Sequence, residues 1–270
     1  MRSLRWLPVL IGLVTACVLL FSPTATVRAK PDPYEVVTVK DSWVTIRGTC
    51  RIEKAVPIPS LEDRHAGETW EVPSPRIRFD PTHLGLADCV VFLKSIKQGK
   101  PWFERTGYVM IVDDSFRPQV QVLPPNTGLK IINTHARPSG IQLRLGGATV
   151  LNYCPPADSI TLGQLGSVLT KPGFYRASHH LHPSYSASIV VARHPYYSTP
   201  TSTTGRYEIT RVPPGTYELI CWHAGMRHEA TRSATGRVTC YDHGPDVVVE
   251  KRVEVAPGKP LTVDFELPAP

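Results

Sequence analysis

The chain has 270 residues, with 27 prolines, 19 glycines, six cysteines and a formal net charge of +7. A positive balance that mild, with no lysine or arginine block, excludes the electrostatic footprint of a nucleic-acid partner. Prolines and glycines scattered without a period suit many short strands joined by turns, not long helices or heptads.

Met1-Arg2-Ser3-Leu4-Arg5 sets two positive charges ahead of an apolar run from Trp6 to Phe21. Pro23 ends the run, and Val27-Arg28-Ala29 offers a small-residue cleavage point. The pattern predicts a signal peptide over residues 1–29. The apolar run falls short of the ~20 residues that cross a bilayer comfortably. Two rivals stay open: Val14-Thr15-Ala16-Cys17 resembles a lipoprotein cleavage box, and the segment can also serve as an uncleaved anchor. Cleavage after Ala29 removes Arg2, Arg5 and Arg28 and lowers the net charge from +7 to +4. The expectation is an exported protein (periplasmic, cell-surface or extracellular) with no membrane span after cleavage. Export places Cys50, Cys89, Cys154, Cys221 and Cys240 where disulfides persist. Cys221 with Cys240 and Cys50 with Cys89 are candidate pairs, leaving Cys154 over, but spacing alone leaves the connectivity open.

Trp43-Val-Thr-Ile-Arg-Gly-Thr-Cys50 is β-branched and predicts a strand. Residues 54–85 are proline-rich and charged without periodicity, and predict a long surface loop. Cys89-Val-Val-Phe-Leu-Lys94 predicts a strand buried on both faces, followed by a polar, turn-rich stretch to Arg105. Tyr108–Val112, Gln119–Val122, Leu129–Asn133 and Ile141–Leu145 follow as strands, the last alternating strictly. Leu162, Leu165 and Leu169 share one helical face, so one short helix is expected in 158–170. Phe174–Ala177 and Ala187–Val191 predict a strand pair flanking the loop Ser178 to Ser186. Gly205–Ile209 and Tyr217–Cys221 flank Pro213-Pro214-Gly215, where proline fixes φ and glycine tolerates positive φ, a firm reversal. Val247–Val255 and Leu261–Leu267 flank a second turn at Pro257-Gly258. The fold class is all-β.

Thr201-Ser-Thr-Thr-Gly205-Arg-Tyr207-Glu-Ile209, then Val212-Pro-Pro-Gly215-Thr-Tyr217-Glu-Leu219, resembles the carboxypeptidase regulatory-like domain. That resemblance implies a transthyretin-like β-sandwich, a carbohydrate-binding-like fold. Its closing strands are matched by Val253–Gly258 and Leu261–Phe265, and its opening strands by Val44–Gly48 and Val90–Leu93. The chain between them is similar to a cupredoxin. Phe116-x-Pro118, Val120-x-Val122 and Leu129-Lys-Ile-Ile-Asn133-Thr-His135 match the approach to the first copper histidine. Pro172-Gly173-Phe-Tyr and His179-His-Leu-His182-Pro-Ser-Tyr185 match the loop that carries the other ligands. The resemblance implies a transthyretin-like sandwich over 40–106 plus 194–270, interrupted by a cupredoxin-like sandwich at 107–193.

A blue-copper centre takes two histidines, a thiolate and usually a weak axial methionine. Matching His182 to the family's histidine places His179 where its cysteine belongs and Tyr185 where its methionine belongs. Without a thiolate the blue-copper reading falls. His135, His179 and His182 remain as a candidate nitrogen site for Cu or Zn, with His180 nearby. The plainer alternatives are a fold that has lost its ion, or a histidine-rich polar surface.

Trp222-His223 ends a strand and is expected to pack at a sandwich edge, with Cys221 in a bridge. Trp43, Trp70, Trp102, Phe103, Tyr196 and Tyr197 are candidates for a sugar-stacking surface. Packing at the domain junction is the commoner fate of Tyr196-Tyr197. No G-x-S-x-G elbow, H-E-x-x-H pair or P-loop occurs, and His228-Glu229 lacks the second zinc histidine. Asp113-Asp114 would point to opposite faces of a strand, so it reads as a turn. The expectation is a non-catalytic exported module that binds a protein partner or a cell-envelope polysaccharide, with a histidine-bound metal as an option. Carbohydrate binding through the transthyretin-like sandwich is the alternative, and a small metal-dependent redox protein the second alternative.

Overall fold

Two pairs of sheets hold most of the strand residues in the computed structural model, which describes residues 34–65, 68–103, 107–112, 115–161 and 168–270. The segment read as a signal peptide and the Asp113-Asp114 pair lie outside the described residues. The described elements are strands, as the all-β reading expected. Among the described residues no helix is long and apolar enough to cross a membrane.

The first pair of sheets joins distant parts of the chain. In one sheet, Val44–Ile52 runs antiparallel to Arg206–Val212 and parallel to Leu261–Thr262 and Phe265–Leu267. In the other, Gly215–His223 lies between Val247–Val255 and Val90–Leu93, antiparallel to both. Successive strand residues face opposite sides of a sheet. Val44, Ile46, Cys50 and Ile52 thus turn inward with Tyr207, Ile209, Leu219, Cys221 and Phe265 to make one core. Two glycines are required by space. A Cβ on Gly48 would lie 1.8 Å from the Val263 carbonyl oxygen. Gly205 has φ +69°, and its carbonyl accepts the Cys50 amide at 2.8 Å.

The second pair of sheets lies within residues 107–191, and those strands pair only among themselves among the described residues. One sheet runs Ser159–Thr161, Leu129–Asn133, Gly107–Val112, Ser115–Arg117. The other runs Ala148–Tyr153, Ile141–Leu145, Gly173–His179, Ser186–Val191, Val120–Leu123. Their core contains Val109, Ile111, Phe116, Ile131, Leu143, Tyr175 and Ile189. A third apolar cluster unites the two sandwiches: Val90, Trp222 and Ala224 from the outer one meet Val120, Val122 and Val190 of the insert. Trp222 stacks on Phe174 with ring centroids 4.7 Å apart, and Phe92 stacks on Tyr197 at 4.6 Å.

One sequence expectation needs correction. The loop expected at 54–85 contains an antiparallel hairpin, Ser60–His65 with Glu68–Pro73, whose Leu61 and Asp63 are buried. Its charged composition concealed the pairing, because ladder hydrogen bonds depend on backbone and not on side-chain polarity. Within 158–170, where one short helix was expected, Ser159–Thr161 is a strand paired with Ile131–Asn133. Leu169 is fully buried and bridges to Thr127, while residues 162–167 lie outside the described set.

Candidate metal centre

One end of the insert collects the histidines that the sequence singled out. His135 leaves the strand Leu129–Asn133 through a turn fixed by Asn133, a fully buried side chain. Its amide donates to the carbonyls of Arg137 and Pro156 at 2.8 Å each, and its oxygen accepts the His135 amide at 3.1 Å. His135 Nδ1 is 2.9 Å from Ser139 Oγ. His179 ends the strand Gly173–His179, and the turn that follows carries His182 back over it. The ring centroids of His179 and His182 are 4.6 Å apart, and those of His135 and His182 are 6.2 Å apart. Tyr185 stacks on His182 at 4.5 Å. His180 is exposed and stands outside the group.

The side chain that organises this pole comes from the misread hairpin. Asp63, with no exposed surface, accepts from His182 Nδ1 at 3.2 Å and from Ser184 Oγ at 2.7 Å. Burying a carboxylate is costly unless hydrogen bonds compensate it. With Nδ1 donating to that carboxylate, the lone pair of the neutral His182 ring sits on Nε2. This is the carboxylate–histidine arrangement that orients metal-binding imidazoles.

His179 is held differently. Its Nδ1 accepts the backbone N–H groups of Leu181 and His182 at 3.0 and 3.1 Å. The neutral ring therefore carries its proton on Nε2, which is buried without a hydrogen-bond partner among the described residues. Burial first, then the neighbouring His182, His135 and His180, holds its pKa down to about 3. His179 is a proton-bearing neighbour of His135 and His182, not their chemical equivalent.

A second donor cluster lies in the outer sandwich, where sequence spacing gave no hint of it. The Sγ atoms of Cys50, Cys89 and Cys221 all lie within 4.8 Å of one another, and those of Cys50 and Cys221 are 3.5 Å apart. All three residues are fully buried, and the five described cysteines are free thiols. The pairing of Cys221 with Cys240 is overturned: Cys221 abuts Cys50 in the core, whereas Cys240 is exposed on the strand Val238–Asp242. Cys50 and Cys89 are neighbours without a bond. Inward alternation at Cys50 and Cys221 was the available signal, but bringing both to one point also needs the register of two facing sheets.

Trp222 is buried as expected, though at the junction of the sandwiches and not at a free edge. Its indole N–H donates to Asp246 at 2.9 Å, and Arg176, ion-paired to the same carboxylate, lies over the ring. The aromatic candidates do not form one surface. Trp70 lies 6.3 Å from the His182 ring, Tyr196 is wholly buried, and Trp102, Phe103 and Tyr197 line a junction cleft of about 280 Å³.

No family model matches the chain, and no curated protein matches it. Solved structures similar to it include a purple cupredoxin from Nitrosopumilus maritimus, 15% identical, covering 32% of this chain and 99% of that one at a TM-score of 0.26. A Cu-containing nitrite reductase, NirK, from Thermus scotoductus SA-01 is 18% identical. That match covers 37% of this chain and 25% of the other at a TM-score of 0.28. A reduced Cu(I) form of an amicyanin mutant is 17% identical over 33% of this chain and 85% of its own, with a TM-score of 0.26.

Proposed function

We propose that this chain is an exported, non-catalytic metal-binding protein whose insert takes a divalent ion, Cu(II) or Zn(II), at the histidine pole. The observation that carries the reading is Asp63: a fully buried carboxylate, supplied by a hairpin outside the insert, whose oxygens accept from His182 and Ser184. His182 and His135 are the ligands, since imidazole nitrogen suits both ions. His179 offers its Nε2 proton to whatever non-protein ligand completes the coordination. A site with two protein ligands is open, and it suits delivery or sensing of an ion better than permanent structural binding.

Elemental analysis of the untagged chain tests this against Asp63→Asn. About one ion per wild-type chain is expected, with affinity 10- to 100-fold weaker in the variant, as for other partners of metal-bound histidines. Wild-type protein that stays metal-free after incubation with Cu(II) or Zn(II) would sink the proposal.

A second reading has one observation in its favour. The junction cleft presents Trp102 and the half-exposed Phe103 beside Lys100 and Glu208, an apolar face with a polar rim that suits a sugar ring. Retention on a polysaccharide resin that disappears in Trp102→Ala supports that reading, and unchanged retention removes it.

A further inference from the structure

The three buried thiols of the outer sandwich form a donor set separate from the histidine pole. Cys50 projects from the strand Val44–Ile52, and Cys221 faces it from Gly215–His223 in the opposite sheet. Cys221 is flanked in register by Val91 and Val249. Cys89 precedes the strand Val90–Leu93, and its backbone is clamped by Thr201. The Cys89 amide donates to Thr201 Oγ1 at 3.0 Å, the Thr201 amide donates to the Cys89 carbonyl at 2.9 Å, and the Thr201 hydroxyl reaches the Leu86 carbonyl at 2.6 Å. Sheet register places Cys50 and Cys221, and the Thr201 hydrogen bonds fix Cys89 just before Val90–Leu93. Sites built on such elements are held more tightly than sites on loops.

Free cysteine is often buried as a small hydrophobe, which would account for one such residue. It does not account for three, from segments distant in the chain, with all sulfurs within 4.8 Å. Around one ion at metal–sulfur distances of ~2.3 Å, sulfur atoms stand about 4 Å apart. The triangle here spans that spacing. The cluster lies in an apolar core that includes Leu86, Val91, Leu219 and Phe265.

We infer that Cys50, Cys89 and Cys221 form a three-sulfur site for a soft monovalent metal ion, Cu(I). Thiolate sulfur selects Cu(I), Zn or iron–sulfur clusters. Zinc in structural sites takes four ligands. Among the described residues no histidine, carboxylate or further cysteine joins this group of three. Binding is ligand exchange without a change of oxidation state, and any thiol proton displaced passes to solvent as the site forms. Because all three sulfurs are buried, the ion enters as the sandwich folds, and its binding energy is folding energy.

The test uses the full chain, reduced and refolded without oxygen in the presence of Cu(I) alone, then challenged with bicinchoninate. One Cu(I) per chain is expected to survive the challenge, with an all-sulfur first shell by X-ray absorption and a raised melting temperature. Cys89→Ala is expected to weaken retention at least tenfold; should that variant not fold, the wild-type absorption spectrum decides. Nitrogen in the first shell, loss of the copper to bicinchoninate, or a disulfide between any two of the three cysteines in protein purified without reductant would each overturn the inference. A metal-free histidine pole would leave it standing, so the two sites fail separately.

Discussion

The histidine pole of the insert and the thiol cluster of the outer sandwich both gather donors from distant segments, but they do so in opposite surroundings. At the pole, a buried carboxylate, a serine hydroxyl and backbone N–H groups meet the Nδ1 atoms of His182, His135 and His179 in turn. At the thiols, the neighbours are aliphatic and aromatic side chains, and the sulfurs have chiefly one another. Hard, directional partners fix tautomers and suit a nitrogen-seeking divalent ion. A dry pocket of soft donors tolerates a polarisable ion of low charge and little else. The same chain has thus solved the cost of burying polar atoms twice, once by hydrogen bonds and once by choosing atoms that need few.

The largest expected effect breaks the connection between these regions. Trp222→Ala removes the side chain that stacks on Phe174 and donates to Asp246. Loss of a buried tryptophan costs about 3–5 kcal/mol. Calorimetry should show a markedly lower melting temperature, with the single transition splitting as the sandwiches uncouple. An unchanged melting curve would mean that the junction cluster contributes no stability.

A somewhat smaller effect is read by pH, through buried rings on both sides. Burial depresses the pKa of His179 to about 3 and those of His194 and His223 to about 4. In the unfolded chain a histidine titrates near ~6.5. Between those limits the unfolded state binds more protons, so stability rises with pH. The stability these rings contribute is complete above ~6.5 and is lost as pH falls toward their folded values. Each contributes on the order of 1 kcal/mol over the first pH unit below ~6.5. Denaturant titrations at pH 7.0 and 5.5 should show the loss, and His179→Gln should flatten the slope by its own share. Equal midpoints at the two pH values would contradict the buried neutral state of these rings.

Much of the architecture was legible because it is written in side-chain periodicity. The inward alternation of Val44, Ile46 and Cys50, the Pro213-Pro214-Gly215 reversal and the strict alternation of Ile141–Leu145 each report a local backbone requirement. His135 and His182 were legible as candidates through the motifs around them, and the structure does bring their rings within 6.2 Å. Asp63 was not legible. It lies in a charged, proline-rich segment, and what makes it a buried carboxylate is a pair of donors more than a hundred residues away. Nor could spacing reveal the thiol cluster, since Cys50 and Cys221 meet only through the facing of two sheets. The distinct role of His179 depends on which ring nitrogen meets the backbone, a matter of three dimensions throughout.

Both ends of the insert converge on one residue. A Cβ on Gly107 would lie 2.4 Å from Leu123 Cδ1, and the Ala192 amide donates to the Leu123 carbonyl at 2.9 Å. Once folded, the guest acts as a short clasp between its own entry and exit, so Val90–Leu93 and Gly215–His223 search for each other across a much smaller loop. Loop-closure entropy grows by about 0.6 kcal/mol per doubling of length, so this shortening lowers the entropic barrier by roughly 1 kcal/mol. The assembly order that follows is guest before host. In pulse-labelled hydrogen exchange, amides of Ile141–Leu145 should become protected ahead of those in Val44–Ile52, and the reverse order would refute it.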